Sequence, residues 1–131
     1  MTIRRAYSVK PWMPVFIWVA AMFLVSSLPG KNVPEAEVPY IDKIAHFTEF
    51  AILGLLVMRA IFKSSTNINL AKSIILSIII ISLYAVFDEW HQGFIPGRMC
   101  DMFDFLADAA GSAAGVIIYS IWRKNADSKT V

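Results

Sequence analysis

Four long apolar stretches limit what this chain can fold into. They occupy residues 12–28, 44–62, 70–87 and 105–122. Each is close to the roughly 20 residues that a helix needs to cross the hydrocarbon core of a bilayer. Because unpaired backbone amides and carbonyls are costly in lipid, segments of this length should be helical. The sequence therefore predicts an all-α integral membrane protein, a bundle of four transmembrane helices.

The composition favours a membrane protein over a soluble one. Apolar residues make up 57% of the chain and charged residues only 17%, whereas a soluble domain is usually about one quarter charged. The length of 131 residues suits one domain, so we expect residues 1–131 to form a single membrane domain. The lipid bilayer is its expected partner, and the scattered basic residues argue against nucleic acid.

The basic residues predict the orientation of the helices. Most of them fall in the N-terminal tail, the second loop with its flanks, and the C-terminal tail: Arg4, Arg5, Lys10, Arg59, Lys63, Lys72, Arg123, Lys124 and Lys129. The positive-inside rule then places both termini in the cytoplasm. Nearly all acids map to the opposite side. Acids have little influence on topology, so their asymmetry requires another explanation.

Three of the predicted helices carry ionisable residues near their outer ends. They recur with the spacing of one helix face: Asp42, His46 and Glu49; Tyr84, Asp88 and His91; Asp101, Asp104 and Asp108. Lipid is a costly environment for such groups, and ionisable residues inside a membrane are functional candidates by default. We therefore expect the three stripes to face one another around a polar pocket that opens to the outside.

The predicted pocket is strongly acidic. Its ligand-binding candidates are Asp42, Lys43, His46, Glu49, Asp88, Glu89, Gln92, Arg98, Asp101, Asp104 and Asp108. So many carboxylates cannot all stay ionised side by side. Either Lys43 and Arg98 bridge several of them, or some are protonated, or a cation binds.

A structural interpretation competes with the functional one. The same residues would also suit a salt-bridge network that ties the outer helix ends together. Asp101 and Asp104 would suit the N-terminus of the fourth helix, where acids are favourable. Gly111 and Gly115 form a small-xxx-small surface, which is typical of close helix packing.

Two blocks of the sequence carry a resemblance to a known family. They are DKIAHFTEFAILG at 42–54 and DEWHQGFIPGRMCDMFDFLADAAGSAAG at 88–115. In order and spacing, they resemble the VanZ-like family of small bacterial membrane proteins. The family pattern has an aspartate-lysine, a histidine and an acid, then aspartate-glutamate, a glutamine, a Pro-Gly-Arg turn and a small-residue helix. The family often has asparagine where this chain has Asp108, and His91 is not a family feature.

The resemblance implies a multi-pass protein of the bacterial cell membrane. The founding member of the family lies in a glycopeptide-resistance gene cluster and lowers susceptibility to the glycopeptide teicoplanin. Most relatives occur in bacteria without that cluster. A link to glycopeptide susceptibility is therefore an implication of the resemblance, and antibiotic resistance is not assigned to this chain.

Three functions remain open from the sequence. The first is binding of an envelope ligand, a lipid headgroup or a cell-wall precursor, with Arg98 taking its phosphate or carboxylate. No cofactor is predicted for that function.

The second is an enzyme that acts on an envelope substrate. His46, Glu49 and Asp88 are its catalytic candidates, and a divalent metal would be held by His46, Glu49, Asp88 and Asp104. The third, proton or ion movement, ranks lowest because only Ser73 and Ser77 continue the polar stripe inward.

Overall fold

The residues that the structure describes form helices joined by turns and short loops, with no strand among them. The computed structural model describes residues 9–30, 40–65, 67–98 and 101–128. A 3-10 turn at Lys10–Trp12 leads into α1 (Met13–Ser26), and α2 (Ile41–Ser64), α3 (Leu70–Gln92) and α4 (Met102–Ser128) follow. The predicted all-α bundle of four helices is confirmed. Arg4, Arg5 and Lys129, which contributed to the predicted orientation, lie outside the described residues.

Three of the helices are long and apolar enough to cross a membrane, in the ranges Ile41–Ser64, Leu70–Gln92 and Met102–Ala126. The apolar helix Lys10–Ser26 is shorter. Large apolar side chains such as Ile75, Leu83 and Ile117 are exposed on the outer faces of the bundle. An exposed apolar surface of this kind suits lipid, and the chain is a membrane protein.

Three of the four helices extend beyond the predicted spans, whereas α1 is slightly shorter than its predicted span of 12–28. The third prediction ended at 87, but α3 continues to Gln92, and α4 begins at Met102 rather than at 105. Hydropathy marks where side chains become polar, not where the helix ends. The polar residues from Asp88 to Gln92 stay helical because several are buried against other helices.

Local sequence signals explain where the elements begin and turn. Asn69 caps α3, since its side-chain oxygen accepts a hydrogen bond of 2.9 Å from the Lys72 amide. A type II turn lies between α3 and α4. Gly97 has a φ of 79°, and the Arg98 amide donates to the Ile95 carbonyl at 3.1 Å. A positive φ at this position favours glycine.

Helix α2 is the centre of the bundle and packs against α1, α3 and α4. Its closest neighbour is α4, which runs parallel to it. A Cβ atom at Gly111 would overlap the Phe47 carbonyl oxygen, and one at Gly115 would overlap that of Ala51. The small-residue surface therefore serves close packing, as predicted. This packing brings the N-terminal turns of α2 and α4 side by side.

Candidate functional site

One residue from each of α2, α3 and α4 meets at the acidic end of the bundle. His46, Glu89 and Asp108 each offer a ligand atom, and these atoms lie within 4.8 Å of one another. All three residues are buried, and Asp108 is 0% exposed. We call His46, Glu89 and Asp108 the buried trio. Imidazole nitrogen and carboxylate oxygen are ligand types that divalent transition metals accept, so the trio could hold a metal ion.

A hydrogen bond to Asp108 orients the histidine of the buried trio. His46 Nδ1 lies 2.8 Å from Asp108 Oδ1, and His46 Nε2 lies 4.0 Å from Asp104 Oδ2. When Nδ1 carries the proton and donates to Asp108, Nε2 is left with its lone pair. A carboxylate that fixes the tautomer of a histidine in this way is common beside metal ions.

The Lys43 ammonium contacts three carboxylates close to the buried trio. Its Nζ lies 2.8 Å from Asp42 Oδ2, 3.0 Å from Asp101 Oδ2 and 2.7 Å from Asp104 Oδ1. Asp101 also caps α4 by accepting a hydrogen bond of 2.9 Å from the Phe103 amide. That amide and the Lys43 ammonium hold the pKa of the Asp101 carboxyl below its ordinary value. The predicted capping and bridging roles therefore occur together at this end of α4.

Asp88 and Gln92 form the α3 side of the cluster. Gln92 Nε2 donates to Asp88 Oδ2 at 2.9 Å, and both residues are buried. Asp88 Oδ1 and Asp108 Oδ2 are buried oxygens without a hydrogen-bond partner among the described residues. A buried carboxylate oxygen without a donor is costly, so both positions suit a cation or a proton.

Bridging of the acids by Arg98 is one of the alternatives that the sequence leaves open, and the structure does not show it. Its Nε donates to the Leu28 carbonyl at 3.0 Å and its Nη2 to the Val25 carbonyl at 3.2 Å. The guanidinium thus binds carbonyl groups at the C-terminal end of α1, where positive charge is favourable. Among the described residues, its one hydrogen bond to the cluster is a long contact of 3.4 Å from Nη1 to Gln92 Oε1.

The predicted α3 stripe is also divided between two faces. Asp88 points into the cluster, but His91 Nε2 lies 2.9 Å from Ser27 Oγ, and its ring stacks on Phe23. Tyr84 likewise donates to the Val19 carbonyl of α1 at 3.4 Å. The predicted stripe of α3 therefore lies where α3 borders both α1 and the acidic cluster. The second histidine therefore belongs to the α1 contact and not to the cluster.

Glu49 lies deeper along α2 and is only half-buried. Its backbone carbonyl accepts a hydrogen bond of 3.0 Å from Trp18 Nε1, and no hydrogen bond to its carboxylate is found within the described residues. It is not part of the buried trio. Of the four predicted metal candidates, His46 alone belongs to the trio, and the other two members of the trio are Glu89 and Asp108.

The sequence contained a signal for Glu89 that the predicted α3 stripe did not use. Five of the seven buried residues of α3 are spaced four residues apart: Ser73, Ser77, Ile81, Ala85 and Glu89. Small and polar residues at this spacing in an apolar helix indicate the face that packs inward. Following that spacing leads to Glu89, whereas the charged stripe alone leads to Asp88.

The family comparison agrees with the motifs that form this cluster. The model of the VanZ/LLP1 family matches residues 3–123. The chain belongs to the VanZ-like family. The match covers α1, α2, α3 and most of α4, so all three helices that supply the buried trio belong to the VanZ-like region. Comparisons with curated proteins and with solved structures give no significant match.

Proposed function

We propose that this VanZ-like protein binds a divalent metal ion at the buried trio and uses it to hold an anionic envelope ligand. The observation that carries the proposal is the convergence of His46, Glu89 and Asp108 within 4.8 Å in a buried position. We further infer that the chain crosses the bacterial cell membrane several times. Its termini would face the cytoplasm and its acidic end the outside.

Charge balance supports a bound cation. Asp88, Asp104 and Asp108 are all buried at one end of the bundle. Lys43 pairs with Asp104, but it also serves the more exposed Asp42 and Asp101. Several buried carboxylates sharing so little positive charge are costly in a medium of low dielectric. A divalent ion supplies the missing charge at the point where the carboxylates are closest.

The chemistry of the donors favours zinc or manganese. Imidazole suits zinc, and carboxylates suit manganese and harder ions. Asp108 would use Oδ2, which lacks a partner among the described residues, while its Oδ1 keeps the contact with His46. One carboxylate would then both ligate the ion and orient the histidine.

A bound metal ion would also explain how a cluster of carboxylates can bind an anion. The sequence suggested Arg98 as the anion-binding residue, but its Nε and Nη2 donate to carbonyls of α1. Without a cation, the carboxylates of the cluster would repel a phosphate or carboxylate. With a divalent ion, the same cluster attracts one. A lipid headgroup or a cell-wall precursor carries such an anionic group. Binding of a cell-wall precursor would also be compatible with the implied effect on glycopeptide susceptibility.

An enzyme is the second candidate function. Glu49 is a half-buried carboxylate without a hydrogen-bond partner in the described part of the chain, and Asp88 Oδ1 is likewise unpartnered. Either carboxylate would serve as an acid or base beside a metal that polarises a phosphate. Hydrolysis of a polyprenyl phosphate by the metal-loaded protein, and its loss in Glu49→Gln, would establish this function.

Metal analysis of the purified protein tests the proposed site. After dialysis against Mn²⁺ or Zn²⁺, we expect about one equivalent of metal per chain in the wild type. Asp108→Asn and His46→Gln should lose it. Asp42→Asn, which removes an exposed acid from the same end of the bundle, should keep it.

A second measurement separates the metal site from a structural salt-bridge network. Added metal should raise the unfolding temperature of the wild type and leave that of Asp108→Asn unchanged, since only a site that binds metal is stabilised by it. A wild type that takes up no metal and shows no such increase would instead support the salt-bridge network.

A further inference from the structure

A groove between α3 and α4 opens next to the buried trio. It has a volume of about 570 Å³ and is lined by Val86, Glu89, Trp90, Asp101, Met102 and Phe105. Four of these six side chains are apolar. The volume falls within the range of roughly 300–1,000 Å³ that is usual for small-molecule sites. The groove is therefore large enough to hold part of a ligand.

The outer wall of the groove faces the surroundings of the bundle. Val86 is 57% exposed, Trp90 61% and Met102 69%. All three lie on helices that are long and apolar enough to cross a membrane. In a membrane this wall would face lipid, and a lipid chain would enter from the side without crossing water.

The inner wall of the groove is shared with the candidate metal site. Glu89 lines the groove and also offers a ligand atom to the buried trio. Asp101 stands at the same wall, where Lys43 lies 3.0 Å from its carboxylate. The groove therefore joins an apolar, lipid-facing surface to the one place where a metal ion would attract an anion.

We propose that this α3–α4 groove takes a hydrocarbon chain of a membrane lipid whose headgroup carries a phosphate. The chain would lie along Val86, Met102 and Phe105, and the phosphate would reach the metal ion at the buried trio. Apolar area removed from solvent stabilises the chain in the groove, and the metal offsets the charge of Glu89 and Asp101. This inference rests on the proposed metal site and names the class of ligand that the site receives.

Native mass spectrometry of the detergent-solubilised full-length protein tests the groove, with dioleoyl phosphatidic acid as the probe. We expect one phosphatidic acid per chain in the presence of Mn²⁺ and at least a tenfold weaker adduct after chelation. Dioleoylglycerol, which has the same chains without the phosphate, should bind at least tenfold more weakly.

Two variants that fill the groove show where the lipid binds. Val86→Trp and Met102→Trp should each reduce phosphatidic acid binding at least tenfold while keeping one equivalent of metal. Both positions are more than half exposed, so the larger ring should not disturb folding. Ile118→Trp is the matched control, because Ile118 is also 55% exposed but lies further along α4, and it should bind lipid as the wild type does.

The outcomes separate this inference from the proposed function. If the wild type binds no metal, the metal site is wrong and the groove inference falls with it. If metal binds but both groove-filling variants retain full affinity for phosphatidic acid, the groove is wrong and the metal site stands. If dioleoylglycerol binds as tightly as phosphatidic acid, the phosphate plays no part and the inference is overturned.

Discussion

Helix α4 meets its two neighbours in different ways. Against α2 it packs so closely that a Cβ atom at Gly111 or Gly115 would overlap a backbone carbonyl oxygen. Against α3 its first turns leave a groove of about 570 Å³. Both contacts end at the buried trio, since His46 approaches α4 from one side and Glu89 from the other.

The difference between the two contacts suggests a division of tasks. A close backbone approach leaves no room for a ligand, but it fixes the relative position of His46 and Asp108, which are 2.8 Å apart. A looser contact fixes less and leaves space beside Glu89. A binding site benefits from both, because rigid supporting helices position the ligating groups while an open side admits the ligand.

The largest effect on stability is expected from Gly111→Leu, which places a large side chain in the close contact between α2 and α4. The new side chain would collide with the Phe47 backbone, and a backbone cannot move aside cheaply. We expect a loss of about 3 kcal/mol in the free energy of unfolding, measured by denaturant titration in detergent. Ala110→Leu adds a similar side chain at the neighbouring exposed position and should be nearly neutral. Equal stability of the two variants would refute the close α2–α4 contact.

A smaller loss in the free energy of unfolding is expected from Lys43→Met, which removes the ammonium group that three carboxylates share. Asp104, Asp101 and Asp42 would lose their shared ammonium partner. Because Lys43 keeps some contact with solvent, we expect a cost of about 2 kcal/mol, below that of a fully buried pair. Lys63→Met removes the same charge from the exposed C-terminal end of α2 and should cost little. Added Mn²⁺ should recover part of the lost stability if the trio binds it.

A loss of about 1 kcal/mol is expected from Arg98→Lys at the turn between α3 and α4. Lysine keeps the charge but lacks the planar fork with which the Arg98 guanidinium donates to the Leu28 and Val25 carbonyls, so we expect these contacts to weaken. Hydrogen exchange should become faster at the C-terminal end of α1 and stay unchanged in α2. If exchange instead changed around Asp88 and Glu89, Arg98 would belong to the acidic cluster, as the sequence suggested.

The smallest effect is expected from Asp101→Asn at the edge of the groove. Asparagine can still cap α4, so only the charge interaction with Lys43 is lost. The folded protein holds the pKa of Asp101 below the ordinary value of 3.8. Its charge therefore adds stability above that value, and this contribution disappears as the pH falls through the lower, folded pKa. The difference in unfolding midpoint between wild type and variant should shrink from pH 5 to pH 2.5; a constant difference would contradict this account.

Several features of the molecule follow from local rules and were accessible in the sequence. The helices follow from apolar stretches of membrane-spanning length, the α3–α4 turn from Pro96-Gly97, and a close-packing surface on α4 from Gly111 and Gly115. Each depends on residues that are close in the chain or on a property of one helix. The single domain over residues 1–131 and the orientation of the termini stay predictions.

The composition of the cluster was less accessible because it depends on how each helix is rotated. Neighbouring residues on a helix point about 100° apart, so the rotation of α3 decides whether Asp88 or Glu89 reaches His46 and Asp108. That rotation is set by the packing of α3 against α2 and α4, and the charged stripe alone does not indicate it. The same reason explains why His91 faces Ser27 and why Arg98 reaches the end of α1 instead of the acids.

The sequence by itself determined that this protein is a helical membrane protein with its acids gathered at one end. Hydropathy, helical spacing and the cost of charge in lipid are enough for that conclusion. Only the tertiary structure decided that His46, Glu89 and Asp108 meet, that Arg98 is engaged elsewhere, and that a groove opens beside Glu89. Those facts depend on distances between separate helices, and side-chain packing across the bundle sets such distances.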